Sequence, residues 1–216
     1  MKVAVFDSGI GGKTFLQEAR HALPDIEFEY FSDSDNVPYG DKDIKVVREY
    51  IFKAIDNIVK QDFDAIVIAC NTATSIAIND LRGRYDLPII GMEPAVKPAI
   101  KQSYGKKVLV LATPITVKED KLSNLIKGLN SEEIVDLIAL PKLVEFAENN
   151  IFNKEVEEYI TDKIKDLNID EYSCVVLGCT HFIYFKDIIQ KLFPNTKIVD
   201  GNQGTINRLK QVLEIK

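Results

Sequence analysis

Lys2-Val-Ala-Val-Phe-Asp7 and Lys107-Val-Leu-Val-Leu-Ala112 are short apolar runs of one pattern, set 105 residues apart. A second pair of similar runs, Ile68-Ala-Cys-Asn-Thr72 and Leu177-Gly-Cys-Thr180, is set 109 residues apart. Both offsets lie close to half of the 216 residues, so the sequence predicts two similar halves. Because short apolar runs alternate with segments of helical period from end to end, each half is predicted to be an α/β domain with a parallel sheet.

Hydrophobic periodicity predicts the individual segments. The clearest helix is predicted from the stripe Ile44, Val47, Ile51, Ile55 and Ile58, which recurs in steps of three and four residues. Strands are predicted at residues 2–6, 27–31, 64–69, 88–91, 107–111, 133–138, 173–178 and 197–199. Helices are predicted at residues 12–22, 43–61, 74–85, 116–129, 142–168 with a break at 150–153, 183–193 and 203–213.

This arrangement predicts a pseudo-twofold duplication, with the active site in the cleft between the halves. The first domain is expected to comprise residues 1–96 together with 203–216, because the last helical segment can pack back on the first half. The second domain is expected to comprise residues 97–202. Residues 93–103 are expected to form the hinge between them.

The composition is that of an ordinary globular protein, with 46% apolar residues and a mean hydropathy of -0.05. The 27 Lys and Arg residues against 33 Asp and Glu residues give a net charge of -6, which argues against nucleic acid or an anionic membrane as a partner. No apolar run approaches the roughly 18 residues of a membrane span, and a signal-peptide pattern is absent, so a cytoplasmic protein is expected. Three cysteines without CxxC pairing are expected to be free thiols.

Cys70 and Cys179 each follow an apolar strand run and precede a polar residue and a helical segment. Ligands of open α/β sheets bind at this point, beyond the carboxyl ends of the strands. The N–H groups at the start of the next helix favour a thiolate, so both cysteines are expected to ionise near neutral pH. Cys174 lies inside an apolar run and is interpreted as a core residue. Two cysteines at equivalent points of two halves indicate a shared site.

Two thiols on opposite faces of one substrate carbon suit the inversion of a stereocentre. One group removes the hydrogen as a base, and the other returns a proton as an acid. His181, two residues after Cys179, is interpreted as part of a proton relay or as a group that orients the thiol. Two histidines without clustered carboxylates leave few ligands for a metal ion, so no metal site is expected.

Other polar segments follow the predicted strands. The run Asp7-Ser-Gly-Ile-Gly-Gly12 follows the first strand, and its glycines allow backbone N–H groups to approach an anion such as a substrate carboxylate. It matches neither glycine motif of nucleotide-binding folds, so a nucleotide cofactor is not supported. The run from Asp33 to Gly40 follows the second predicted strand, as part of the site or as a solvated turn. Thr113 and Thr116 follow the first strand of the second half, as a helix N-cap or as part of the site.

Five segments resemble one known family, the cofactor-independent glutamate racemases within the aspartate/glutamate racemase superfamily. They are Val5-Phe-Asp-Ser-Gly-Ile-Gly-Gly12, Pro38-Tyr-Gly40, Ala69-Cys-Asn-Thr-Ala-Thr74, Ile89-Ile-Gly-Met-Glu-Pro-Ala95 and Leu177-Gly-Cys-Thr-His181. The resemblance implies that Cys70 and Cys179 exchange the α-proton of glutamate as two bases, with no cofactor. It implies that Asp7 is the acidic partner on the Cys70 side, and that His181 and Glu148 assist on the Cys179 side.

The resemblance also implies how substrate is held and what the reaction is for. The implied substrate-binding residues are Asp7, Ser8, Tyr39, Gly40, Asn71, Thr72, Thr113, Thr116, Thr180 and His181. The histidine after Gly-Cys-Thr and the threonine after Cys-Asn-Thr-Ala favour glutamate over aspartate. The implied role is the supply of D-glutamate for peptidoglycan in a bacterial cytoplasm, and the resemblance is compatible with a homodimer.

Three other functions stay open at this point. The first is a racemase or isomerase of the same superfamily that acts on aspartate or another small carboxylate. The second is a cysteine hydrolase with Cys179 as nucleophile and His181 as base, which leaves Cys70 without a role. The third is a non-catalytic sensor of small anions or a partner-binding protein that kept the cleft.

Overall fold

A computed structural model describes residues 1–215 of the chain. The first half contains β1 (Lys2–Asp7), α1 (Gly12–Ala22), β2 (Glu27–Ser32), α2 (Ile44–Ile58), β3 (Ala65–Ile68), α3 (Asn71–Arg84) and β4 (Ile89–Gly91). The second half contains α4 (Val96–Gln102), β5 (Lys107–Ala112), α5 (Pro114–Lys118), α6 (Asp120–Gly128), β6 (Val135–Ala139), α7 (Lys142–Glu148), α8 (Lys154–Ile164), β7 (Tyr172–Gly178), α9 (Lys186–Leu192) and β8 (Lys197–Asp200), and the chain continues into a last helix, α10 (Asn202–Val212). Short 3₁₀ helices at Ile169–Glu171 and Thr180–Phe185 precede and follow β7.

Within residues 1–215 the strands form two parallel sheets of four strands each. The strand order is β2-β1-β3-β4 in the first sheet and β6-β5-β7-β8 in the second. Strands β1 and β5 therefore hold equivalent places, as do β3 and β7. The predicted α/β fold of two similar halves is confirmed, and each of the eight predicted strands is present within two residues of its predicted ends.

Each sheet is covered on both faces, because the central strands are apolar on both sides. Along β1, Val3 and Val5 join one buried cluster, whereas Ala4 and Phe6 join another. Strand β5 divides its side chains between two further clusters in the same way. This alternation is the geometry of a strand, whose successive side chains point to opposite faces. Layers of helix on both sides leave the carboxyl ends of the strands as the place where a site can form.

Helix α2 shows how the apolar stripe positions a helix. Val47, Ile51, Ile55 and Ile58 are fully or almost fully buried against the first sheet. Asp43 caps the helix, since its side chain accepts hydrogen bonds from the Lys45 and Val46 amides. The prediction was wrong for Ile44, which lies in the first turn and is exposed, and for the end of the helix, which is at Ile58 rather than at residue 61.

The C-terminal helix α10 packs against α1 and β4, which belong to the first half. Helix α4 packs against β5 and β7 of the second sheet instead. The expected hinge at residues 93–103 is therefore mostly helix: the segment joins the two sheets, but α4 is bound to the second one. Lys216, the last residue of the expected first domain, lies outside the described residues.

Four further predicted helices differ from those of the structure. Helix α3 begins at Asn71, before the predicted start at 74, because Cys70 is its N-cap and the Cys70 thiol accepts a hydrogen bond from the Ala73 amide. The segment 116–129 is divided into α5 and α6 by extended backbone at Glu119, and it begins earlier because Pro114 suits the first helical turn.

The other two differences lie further along the chain. The segment 142–168 is divided into α7 and α8, with the break starting at 149, and it ends at Ile164. The segment 183–193 is α9 preceded by the 3₁₀ helix Thr180–Phe185.

The helices of residues 1–215 are all too short or too polar to cross a lipid bilayer.

Candidate active site

The two predicted catalytic cysteines lie at equivalent points of the two sheets. Cys70 follows β3 and is the N-cap of α3, and Cys179 follows β7 and is the N-cap of the 3₁₀ helix Thr180–Phe185. Both thiols are free, and the two residues are only 5% and 6% exposed. Cys174 is also free and lies inside a hydrophobic cluster, as predicted.

Cys70 is held in a dry environment on the side of the first sheet. Its Sγ atom lies 3.4 Å from the Ala73 amide nitrogen and 3.7 Å from the Ser8 hydroxyl. Burial, together with the nearby charge of Asp7, raises the pKa of Cys70 to about 12. The expectation that the start of the helix brings this thiol near neutral pKa was wrong, because the loss of water around the thiolate outweighs the single amide donor. Cys70 is therefore a protonated thiol in the free protein.

Cys179 lies beside a buried histidine that is paired with a carboxylate. The Sγ atom of Cys179 is 3.9 Å from His181 Nδ1, and His181 Nε2 is 2.6 Å from Glu148 Oε1. Burial alone lowers the pKa of His181, but its bonds to Cys179 and Glu148 and the charge of Asp7 outweigh burial and raise it to about 10. The imidazole is thus a cation at neutral pH, with both ring nitrogens acting as donors.

Glu148 reaches the site from the end of α7. Its Oε1 atom accepts a hydrogen bond from the Ile10 amide at 2.8 Å as well as the one from His181. Burial acts to raise the pKa of Glu148, but the His181 and Ile10 donors outweigh it and lower the pKa below the ordinary value. Glu148 is therefore an ionised carboxylate that links the second half to the first.

Asp7, at the end of β1, is completely buried. Its Oδ1 atom accepts from the Gly9 amide at 2.8 Å, and its Oδ2 atom accepts from the Thr180 hydroxyl at 3.1 Å. Burial raises the pKa of Asp7, although the positive charge of His181 and these donors act against it. Asp7 thus influences Cys70 through its charge while its direct side-chain bond is to the opposite half.

Three threonines from the two halves meet in a hydroxyl cluster. Thr72 Oγ1 lies 2.9 Å from Thr113 Oγ1 and 3.5 Å from Thr116 Oγ1. Thr113 Oγ1 lies 3.0 Å from Thr116 Oγ1. The Gly40 carbonyl accepts from the Ile115 amide at 3.0 Å, and a Cβ atom at Gly40 would clash with Thr113. Hydroxyls of this kind can donate to or accept from the polar ends of a small substrate.

Tyr39 and Asn71 are buried near this cluster but are bonded elsewhere. The Tyr39 hydroxyl donates to Asp33 Oδ2 at 2.5 Å, and the Tyr39 side chain is buried, so the segment 33–40 is not a wholly solvated turn. The Asn71 side-chain amide donates to the Met92 carbonyl at 3.3 Å. Asn71 and Thr116 also border a cavity of about 350 Å³ between the halves.

The glycine-rich loop after β1 contacts two carboxylates of the protein. Two of its amides, those of Gly9 and Ile10, donate to Asp7 and Glu148 rather than standing free for a substrate anion. A Cβ atom at Gly9 would overlap the Glu148 carboxylate, so glycine is required there for the close approach. The loop therefore organises the protein's own carboxylates.

Sequence reasoning missed two tyrosines that hold this loop. The Tyr30 hydroxyl donates to the Gly9 carbonyl at 2.6 Å, and the Tyr184 hydroxyl donates to the Ile10 carbonyl at 3.0 Å. Neither residue stands out in the sequence, because a tyrosine in a strand or in a short helix is an ordinary packing residue. Across residues 1–215, histidine, cysteine and carboxylate side chains do not gather in any group of three or more that could hold a metal ion.

Known proteins that resemble this chain are racemases. The family model of Asp/Glu/hydantoin racemases matches residues 14–209. A glutamate racemase of Halothermothrix orenii is 51% identical over 215 residues, which cover 99% of this chain and 85% of that protein. Glutamate racemase 2 of Bacillus subtilis is 48% identical over 217 residues, covering 99% of this chain and 82% of that protein.

Solved structures agree with these sequence matches. The crystal structure of Escherichia coli glutamate racemase, in complex with L-glutamate and the activator UDP-MurNAc-Ala, superposes with a TM-score of 0.89 at 30% identity. The match covers 100% of this chain and 83% of that one. A glutamate racemase of Bacillus anthracis, RacE1, also gives a TM-score of 0.89, at 26% identity over 98% of this chain and 81% of that one.

Proposed function

This chain belongs to the Asp/Glu/hydantoin racemase family, and we propose that it is a glutamate racemase, which interconverts L- and D-glutamate by transfer of the α-proton between two cysteines. The observation that carries the proposal is the pair of buried thiols, Cys70 and Cys179, at equivalent strand ends of two halves. A single nucleophilic cysteine of a hydrolase does not account for the second thiol. A sensor of small anions does not account for either one.

The proposed reaction needs one base and one acid on opposite faces of the α-carbon. The thiolate of one cysteine takes the α-proton, and the bonding electron pair stays on the α-carbon. The thiol of the other cysteine then gives its proton to that carbon from the opposite face, which yields the mirror-image amino acid. Cys70, with its raised pKa, starts as the acid.

In the reverse direction Cys70 has to act as the base. Two features of the site favour its ionisation. The α-ammonium group of the substrate brings a positive charge that stabilises a nearby thiolate. Burial also raises the pKa of Asp7, so that its carboxylate is a stronger proton acceptor than an exposed one. On the other side, the His181 cation lies beside Cys179, and Glu148 keeps the imidazole in place.

We propose that the remaining predicted residues hold the two carboxylates and the ammonium group of glutamate. The set consists of Ser8, Tyr39, Gly40, Asn71, Thr72, Thr113, Thr116 and Thr180, together with Asp7 and His181. The meeting of Thr72 with Thr113 and Thr116 across the halves supports this assignment, since a substrate between the halves would contact both. In this proposal residues 1–96 with 203–216 and residues 97–202 act as two domains that part to admit substrate.

The proposed biological role is the supply of D-glutamate for peptidoglycan, in the cytoplasm. The reaction itself requires no cofactor in this scheme, because the two thiols supply both proton-transfer groups. The proposal includes a homodimer, and sedimentation of the purified protein would test this oligomeric state.

The test of the function is incubation of L- and D-glutamate with the protein in D₂O, with a chelator present and pyridoxal phosphate absent. Optical rotation should decay to zero from either enantiomer, and the product should carry deuterium at the α-carbon. Cys174→Ser serves as the control that removes a thiol outside the site. Inversion of aspartate in preference to glutamate would reassign the substrate, and binding of glutamate without α-deuterium in any recovered amino acid would overturn the proposal.

A further inference from the structure

The peptide bond between Gly9 and Ile10 is held at both of its polar ends. Its carbonyl, on Gly9, accepts a hydrogen bond from the Tyr30 hydroxyl at 2.6 Å. Its N–H, on Ile10, donates to Glu148 Oε1 at 2.8 Å. Tyr30 lies on β2 in the first half, whereas Glu148 belongs to the second half. One flat peptide unit therefore connects a tyrosine of one half to a carboxylate of the other.

The same oxygen of Glu148 also accepts from His181 Nε2 at 2.6 Å, and His181 Nδ1 lies 3.9 Å from the Cys179 thiol. The contacts thus run without interruption from Tyr30 through the peptide and Glu148 to His181 and Cys179. A hydrogen bond to a peptide carbonyl strengthens the donor at the other end of that peptide, so the Tyr30 contact favours the bond to Glu148.

From this chain of contacts we infer that Tyr30 is a positioning residue for the His181–Cys179 pair, acting across the two halves through the Gly9–Ile10 peptide and Glu148. The expected effect of Tyr30 on the rate of racemisation rests on the proposed racemase function. In this inference a residue of the first half helps to position the proton-transfer groups of the second half.

Two further observations fit this role. A Cβ atom at Gly12 would lie 2.7 Å from Asp7 Cβ, 3.1 Å from the Tyr30 hydroxyl and 3.2 Å from the Tyr30 ring, so glycine at position 12 leaves space for both side chains. Burial raises the pKa of Tyr30, with the negative charge of Asp7 acting in the same direction. The hydroxyl therefore stays protonated and can donate at every pH at which the enzyme would work.

Tyr184 provides a matched comparison. Its hydroxyl donates to the next carbonyl of the same loop, that of Ile10, at 3.0 Å. That carbonyl belongs to the following peptide unit, so its hydrogen bond does not polarise the N–H that meets Glu148. Tyr30→Phe and Tyr184→Phe each remove one hydroxyl from this loop, but only the first removes it from the peptide bonded to Glu148.

The direct experiment is an NMR titration of the histidine rings in the wild type and in these two variants. The chain has only two histidines, and exposed His21 serves as the internal reference. His181→Asn assigns the signals. In Tyr30→Phe the titration midpoint of His181 should rise by about half a pH unit, because the Ile10 amide then donates less strongly to Glu148 Oε1 and leaves more of the carboxylate charge to the His181 cation. The midpoint of His181 in Tyr184→Phe, and that of His21 in both variants, should stay at the wild-type value.

Racemisation of glutamate is measured in parallel. We expect Tyr30→Phe to lower kcat about fivefold, the equivalent of one net hydrogen bond, with little change in KM. An unchanged His181 midpoint in Tyr30→Phe, or equal shifts in both variants, would overturn the inference, and a loss that appears only in thermal stability would assign Tyr30 a merely structural role. A wild type without racemase activity would refute the proposed function, whereas the titration would still decide whether Tyr30 acts on His181.

Discussion

Replacement of Gly11 by alanine tests how closely the two halves meet at the site. Gly11 lies at the start of α1 with φ -57° and ψ -41°, a conformation open to every residue. Its backbone therefore does not require glycine, but its surroundings do. A Cβ atom at this position would lie 2.6 Å from His181 Nδ1 and 2.8 Å from the His181 backbone nitrogen, and it would also overlap the Thr180 hydroxyl.

The size of the effect follows from these distances. Ordinary contacts of a Cβ atom begin at 3.4 Å, so the His181 backbone has to move away by about 0.6 Å. Thr180 then leaves hydrogen-bond distance of Asp7, which it now contacts at 3.1 Å. Since a misplacement of about 1 Å can cost about a hundredfold in rate, we expect Gly11→Ala to lower kcat/KM at least about tenfold. Overpacking should lower the free energy of unfolding by about 1–3 kcal/mol.

The change in kcat/KM is measured by following racemisation with circular dichroism. The change in the free energy of unfolding is measured by denaturation in urea. Gly83→Ala is the matched control, because its Cβ atom in α3 would meet nothing within 4 Å. That variant should keep its activity and gain about 0.5–1 kcal/mol of stability from the better helix former. A Gly11→Ala protein with wild-type kcat/KM and wild-type stability would refute the close packing of the two halves on which the proposed site depends.

Cys70→Ser and Cys179→Ser should each lower racemisation by about 10²–10⁴-fold, because a serine hydroxyl is a weak base at neutral pH, while Cys174→Ser should retain most of the activity. Since the enantiomers of glutamate have equal free energies, kcat/KM has to stay equal in both directions in every variant. Irreversible loss of HCl from the two α-epimers of 3-chloroglutamate, which needs a base on one face only, can instead separate the two sides. Asp7→Asn and His181→Asn should slow elimination from opposite epimers, and equal losses from both epimers would refute their assignment to separate sides. For His181, a pKa of about 10 in the folded protein against an ordinary 6.5 means stabilisation that is complete below pH 6.5 and lost as the pH rises toward 10. The free energy of unfolding in urea should therefore decline between pH 6 and pH 10, and it should decline less in His181→Asn than in the wild type. Identical declines in the two proteins would contradict the pairing of His181 with Glu148.

The sequence alone was sufficient for the architecture. Hydrophobic period determines whether a segment becomes a strand or a helix, and the repeated runs at residues 2–7 and 107–112 mark the duplication. The position of Cys70 and Cys179 after equivalent strands placed both thiols at the carboxyl ends of their sheets. These features depend on residues that are close together in the chain, so the local sequence is enough to predict them.

Helix boundaries were less certain, because they depend on caps as well as on period. Cys70 begins α3 through its thiol, and Pro114 begins α5, whereas apolar spacing continues across both points and gives no boundary. Caps are single contacts, so a pattern summed over several turns does not resolve them.

The electrostatics of the site and the contacts of the glycine-rich loop depend on how distant segments pack. The pKa of Cys70 rises because folding buries the thiol and removes water, which a sequence of one strand and one helix start cannot reveal. The contacts of Glu148 with His181 and with Ile10 join residues 33 and 138 positions apart. Desolvation and long-range hydrogen bonds arise from the packing of distant segments, so they are properties of the folded pair of halves rather than of any stretch of the chain.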